Sequence, residues 1–120
     1  MSKSKIGTMG ELEAVRHLRN NGYRIVTVNY RTRFGEIDII CTKGNYIIFA
    51  EVKTRSEDSI AEPREFVDHN KQSKIINTAM IYISSRRLTL QPRFDVIEVF
   101  YSKKDDKIIN INHIKNAFGG

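Results

Sequence analysis

The chain has 120 residues, 40% of them hydrophobic and 28% charged, which fits one globular domain spanning residues 1–120 and excludes a disordered chain. No apolar run approaches the roughly 18 residues of a membrane span. The single cysteine, Cys41, leaves no intramolecular disulfide and no Cys-rich zinc site. Twenty Lys and Arg against fourteen Asp and Glu give a net charge of +6, a balance that favours an anionic partner, nucleic acid above all.

The N-terminal residues Met1 to Ile6 carry lysines with no apolar stretch behind them, unlike a signal peptide, so the expected location is cytoplasmic. Thr8-Met9-Gly10-Glu11 fits the S/T-x-x-E capping box and predicts a helix from Thr8, with Leu12, Val15 and Leu18 as its apolar stripe. Asn20-Asn21-Gly22 ends it. Tyr23 to Thr32 is rich in β-branched and aromatic residues and reads as a strand, followed by a turn at Phe34-Gly35.

Glu36 to Thr42 and Tyr46 to Thr54 read as two further strands joined at Gly44-Asn45. A two-residue hairpin turn there sets Lys43 opposite Tyr46, Ile40 opposite Phe49, Asp38 opposite Glu51 and Glu36 opposite Lys53. Arg55 to Glu65 is polar and reads as a loop. Asp68 caps a second helix carrying Ile75, Ile76, Ala79, Met80 and Ile83 at helical spacing, with Arg86-Arg87 near its end. Phe94 to Phe100 and Ile108 to Ile111 supply the last strands. The order α-β-β-β-α-β-β predicts an α/β fold, a mixed central sheet flanked by helices.

Alternate residues of a strand share a face, so Glu51 and Lys53 are neighbours and Asp38 joins them in the hairpin register. Two carboxylates opposed across a strand pair repel each other. A divalent cation turns that repulsion into a site, and two hard oxygen donors suit Mg²⁺ or Mn²⁺. Such an ion lowers the pKa of a water and neutralises charge developing on a phosphodiester, while the Lys53 ammonium orients the water or stabilises the transition state.

Against this stands a plainer account, in which Glu51 and Lys53, or Glu36 and Lys53, are surface ion pairs worth little. Ile47 and Phe49 share the Glu51 face, however, and charges beside apolar positions are harder to assign to solvent. Glu11 has two roles open to it: closing the capping box, or serving a metal from the helix. Arg31, Arg33 and Arg55 bracket the site, and Lys71 and Lys74 lie on the first turns of the second helix. All five are candidate phosphate contacts or solvated surface. His17, His69 and His113 have no ligand spacing and are expected to be structural or exposed. Cys41 is expected to pack on the buried side of its strand.

The chain resembles the YraN-like family of small bacterial predicted endonucleases. The resemblance runs through Gly7-x-x-Gly10-Glu11-x-x-Ala14, Asn29-Tyr30-Arg31, Gly35-Glu36-Ile37-Asp38-Ile39-Ile40, Phe49-x-Glu51-Val52-Lys53-Thr54-Arg55, Lys71, Ala79 and Arg93-Phe94-Asp95-Val96. That family is similar to archaeal Holliday-junction resolvases and other PD-(D/E)XK nucleases. The resemblance implies a restriction-endonuclease-like core and a divalent-metal site, with Asp38 and Glu51 as ligands, the Val52 carbonyl as another, Lys53 as the catalytic lysine and Glu11 as the helix-borne acid. The expected function is metal-dependent endonuclease action on DNA, including branched or structured DNA, by a homodimer in analogy with resolvases. The alternative is a nucleic-acid-binding module on a nuclease fold that does not cut.

Overall fold

The computed structural model describes residues 5–57 and 67–119. Its elements follow the expected order: α1 (Lys5–Asn20), β1 (Arg24–Thr32), β2 (Gly35–Lys43), β3 (Tyr46–Ser56), α2 (His69–Ser85), β4 (Gln91–Ser102) and β5 (Lys107–Phe118). The five strands form one sheet in the order β1-β2-β3-β4-β5. Neighbours are antiparallel except β3 and β4, which run parallel because the chain crosses over between them through α2.

The helices cover opposite faces. Ile75, Ala79 and Tyr82 of α2 pack on Ile40, Ile47, Phe49, Phe94 and Val96, whereas Ala14 and Leu18 of α1 pack on Ile39, Cys41, Ile48, Ala50, Ile97 and Val99. The alternation of Ile47, Ile48, Phe49 and Ala50 between these two cores is the period-2 signature of a strand buried on both sides. Phe49 and Phe94 stack with centroids 5.6 Å apart, adding aromatic packing to area burial on the α2 side.

The Gly44-Asn45 turn sets the register as expected, Lys43 opposite Tyr46 and Ile40 opposite Phe49. Backbone pairing of β2 with β3 runs as far as Ile39 and Ala50. Beyond that point the Val52 N–H donates to Asp38 Oδ2 at 2.8 Å, so a side chain replaces the backbone acceptor. Asn29, across from Asp38 on β1, takes φ +53°, and no ladder pair forms at this position. The irregularity lets both Ile37 and Ile40 reach the α2 side. The expected Glu36–Lys53 pairing is not made; Glu36 lies 3.2 Å from Arg31 of β1 instead.

Other boundaries also differ. The first helix is already formed at Lys5, so Thr8 lies inside it and the capping box does not form. The local pattern is overridden by packing: an added Cβ on Gly10 would collide with Thr54 Oγ1, so α1 and β3 approach too closely there for any larger side chain. The expected loop from Arg55 begins two residues later, because Arg55 and Ser56 pair with Phe100 and Tyr101 of β4. Residues 58–65 of that expected loop lie outside the described residues. The β5 strand runs to Phe118 rather than Ile111, since Asp95 of β4 binds His113 and the Asn116 N–H at 2.7 and 3.0 Å. Asp68 caps α2 as expected, accepting from Lys71 N at 2.8 Å. Among the described residues no helix is long and apolar enough to cross a membrane.

Candidate active site

Where β2 and β3 part, the two strands and both helices enclose a pocket of about 280 Å³ whose lining includes Glu11, Asp38, Glu51, Val52, Thr54 and Lys71. Most of its lining is polar or charged. Asp38 and Glu51 are only 6% and 7% exposed, which removes them from the class of solvated surface charges.

Three forces act on Glu51. Burial first, then the hydrogen bond to Asp38 and its charge, push the Glu51 carboxyl up to about 8. Lys71, with Nζ 3.0 Å from Glu51 Oε2, offsets only part of this. Burial alone would lower the Lys71 ammonium, but Glu51, helped by Asp38 and Glu36, holds it above the ordinary lysine value. Two carboxyl groups can hydrogen-bond to each other only across a proton. Burial and the facing acid thus favour a proton held between the two carboxyls, with the Lys71 ammonium beside them.

The geometry brings together the acids expected from sequence and adds a lysine from α2. Glu11 sits on α1 one residue after Gly10, whose missing side chain lets the helix approach β3, and it lines the pocket without serving as the third residue of a cap. Val52 contributes its N–H to Asp38 and lines the same pocket. The donors on offer are all oxygens, the chemistry of a hard divalent cation. No three acidic, histidine or cysteine side chains among the described residues converge into a ready-made cation cage. An ion that keeps several waters and takes a substrate oxygen fits this better than one needing a complete protein shell.

Residues 10–99 match the model of the Uncharacterised protein family UPF0102, a span that holds Glu11, Asp38, Glu51 and Lys71 together. The chain belongs to UPF0102. It is 41% identical over 119 residues to a UPF0102 protein of Caldanaerobacter subterraneus subsp. tengcongensis, covering 98% of each chain. It is 48% identical over 117 residues to one from Alkaliphilus oremlandii, covering 95% of this chain and 97% of that one. A UPF0102 protein of Clostridioides difficile is 44% identical over 119 residues, covering 98% and 100%.

The remaining sequence candidates of this UPF0102 chain divide. Lys53, two residues beyond Glu51, is half-buried and makes no hydrogen bond or ion pair among the described residues. It lies beside the pocket rather than in its lining. Arg55 points along the same strand face, but its guanidinium is 18% exposed and donates from Nε to Glu98 Oε2 at 3.0 Å. Glu98 is fully buried and also accepts from Asn112 at 2.9 Å, so Arg55 is committed to a buried network. Arg31 and Arg33 sit at and beside the β1–β2 turn, exposed, and Lys74 is exposed on α2.

Sequence reasoning missed three features. Gly7 and Thr54 line the pocket; Gly7 belonged to the resemblance but had no assigned role. On the far face Asp95 is fully buried and receives two hydrogen bonds from Arg93, at 2.9 and 2.8 Å, besides that of His113. An acid two residues after Arg93, on the same strand face, was a visible signal, but the partner on β5 was not.

Proposed function

We propose that this protein is a divalent-metal-dependent endonuclease that hydrolyses phosphodiester bonds of DNA, with Mg²⁺ or Mn²⁺ held by Asp38 and Glu51. The observation that carries the proposal is the Asp38–Glu51 carboxyl pair, two buried acids side by side in the lining of an open pocket. A fold has no structural use for two buried acids facing each other, since one unshared charge there costs stability.

A bound divalent cation supplies a water of lowered pKa and neutralises charge that builds up on the phosphodiester. Asp38 and Glu51 would hold it as carboxylates, releasing any proton between them to solvent, and the Val52 N–H keeps Asp38 Oδ2 in place. Glu11 approaches from α1 and can accept a hydrogen bond from the attacking water. Lys71, now 3.0 Å from Glu51 Oε2, would be free to turn its ammonium to a phosphate oxygen once a cation took its place on Glu51. Lys53, beside the pocket, would turn its ammonium toward the oxygen on which negative charge accumulates, where a cation contributes to stabilising the transition state.

The test is cleavage of labelled duplex, single-stranded, flap, four-way-junction and RNA substrates with Mg²⁺, Mn²⁺ or EDTA, using Asp38→Ala as the control for contaminating nuclease. Metal-dependent cutting absent from the variant supports the proposal. Salt-sensitive binding of nucleic acid with no cutting on any substrate supports a binding module instead.

A further inference from the structure

The carboxylate pocket is one end of a longer groove. A second hollow adjoins it and shares Glu36 and Lys71, and a third adjoins the second and shares Gly35, Glu36 and Lys74. The groove thus passes from Glu51 along the first two turns of α2 to the tip of the β1–β2 hairpin. Its cations are Lys71, Lys74, Arg31 and Arg33. Its two flanking acids are engaged: Glu36 with Arg31 at 3.2 Å, and Asp68 as the cap that accepts from Lys71 N.

At the far end stands an exposed aromatic ring. Phe34 is 50% exposed and carries the Arg33 guanidinium over its ring at 5.0 Å from the centroid. The tip is braced in two ways. Thr32 Oγ1 accepts from the Phe34 N–H at 3.1 Å and donates to the Gly35 carbonyl at 3.3 Å. Gly35 is pressed against α2, where an added Cβ would stand 2.9 Å from Thr78 Oγ1 and 3.3 Å from the Lys74 carbonyl. The hairpin tip is therefore held against α2, and Phe34 lines the same hollow as Lys74.

We infer that this groove binds an unpaired DNA strand, with a base stacked on Phe34 and the backbone tracked by Lys74 and Lys71 toward the carboxylate pocket. Cations along a backbone track with an aromatic platform are the combination that binds single-stranded nucleic acid without reading sequence. Bases inside a duplex present no free face to such a ring, so the substrate class is a duplex carrying an overhang, flap or branch. The inference rests on the nuclease reading above and specifies its substrate.

The test is binding in EDTA, where no cutting interferes. The native chain has no tryptophan, so Phe34→Trp places one reporter on the platform. Fluorescein-labelled duplex DNA with a single-stranded overhang is compared with the blunt duplex of the same sequence. The expected results are quenching of Phe34→Trp emission by overhang DNA and not by blunt DNA, with overhang affinity kept. Phe34→Ala should lose about 5- to 150-fold in overhang affinity, the range that stacking one base on an aromatic ring supplies, and keep its blunt-duplex affinity. Equal overhang binding by Phe34→Ala and the native protein would overturn the inference and leave metal-dependent cutting intact. No binding and no cutting of any nucleic acid by the native protein would overturn both.

Discussion

Lys71 Nζ lies 3.0 Å from Glu51 Oε2, a single ion pair that ties the first turn of α2 to the middle of β3. It joins a charge that is buried to one that is half-exposed, and it sits beside a second acid, Asp38. The pair keeps a carboxylate site intact without a bound cation. The site is also sensitive to pH, because burial and Asp38 favour the protonated form of Glu51, a proton that a cation held there would have to displace.

Glu51 is held up to about 8, so between its ordinary value near 4.5 and 8 the folded chain binds more protons than the unfolded one. Stability then falls as pH rises through that window and levels off above it. Lys71, raised above its own ordinary value, adds stability that is lost only at more alkaline pH. Glu51→Gln should flatten the dependence and raise Tm relative to native at pH 9, on the order of several degrees, with little gain at pH 5. Melting curves across pH check this.

The same proton predicts how metal binds. If Asp38 and Glu51 hold the cation as proposed, it would displace a proton from Glu51 below about pH 8, so apparent Mn²⁺ affinity should rise with pH, approaching about tenfold per unit for one proton, and flatten near pH 8. Titration calorimetry in buffers of different ionisation enthalpy measures the proton released. Affinity independent of pH between 6 and 8 would place the metal elsewhere.

On the opposite face, Asp95 is fully buried between Arg93 and His113. Burial alone would raise its pKa, but hydrogen bonds from His113, Arg93 and the Asn116 N–H outweigh it and hold the carboxyl at about 2. Its contribution is present above pH 3.8 and is lost as pH falls toward 2. Asp95→Ala should cost about 3–5 kcal/mol, the usual cost of stranding a buried partner, measured by urea unfolding. Since this network does not line the carboxylate pocket, residual folded protein should keep its cutting rate.

Gly10 offers a test of how Glu11 is placed. Gly10→Ala forces α1 away from Thr54 and should cost about 1–3 kcal/mol by overpacking. Thr54→Ala in the same chain should recover much of that loss. Additive effects of the two substitutions would show that the helix–strand contact is not what requires glycine.

Much of this architecture was legible in the sequence where the signal is local. Gly44-Asn45 set the β2–β3 register, and through it the approach of Asp38 to Glu51; Asp68 announced α2. Thr8 misled because a capping box is a four-residue pattern, whereas the helix start depends on how Gly10 packs against a strand more than forty residues away. Lys71 could be named as a cation but not as the partner of Glu51, because the crossover between β3 and β4 decides which residue of α2 meets the pocket. Arg55 looked like a free phosphate contact for the same reason: its acid, Glu98, lies on another strand. The carboxyl pair was legible because one hairpin holds it; the charges that balance it come from elements distant in sequence.

The most direct test of the central claim uses one substrate, a labelled flap duplex with Mn²⁺, and charge-neutral variants that keep the shape of the pocket. Asp38→Asn and Glu51→Gln should each reduce the cleavage rate by at least about 10²-fold, the order expected when a group stabilising the reacting charge is lost, while binding of the substrate in EDTA stays close to native. Cleavage by both variants at the native rate would contradict the account and move the chemistry out of this pocket.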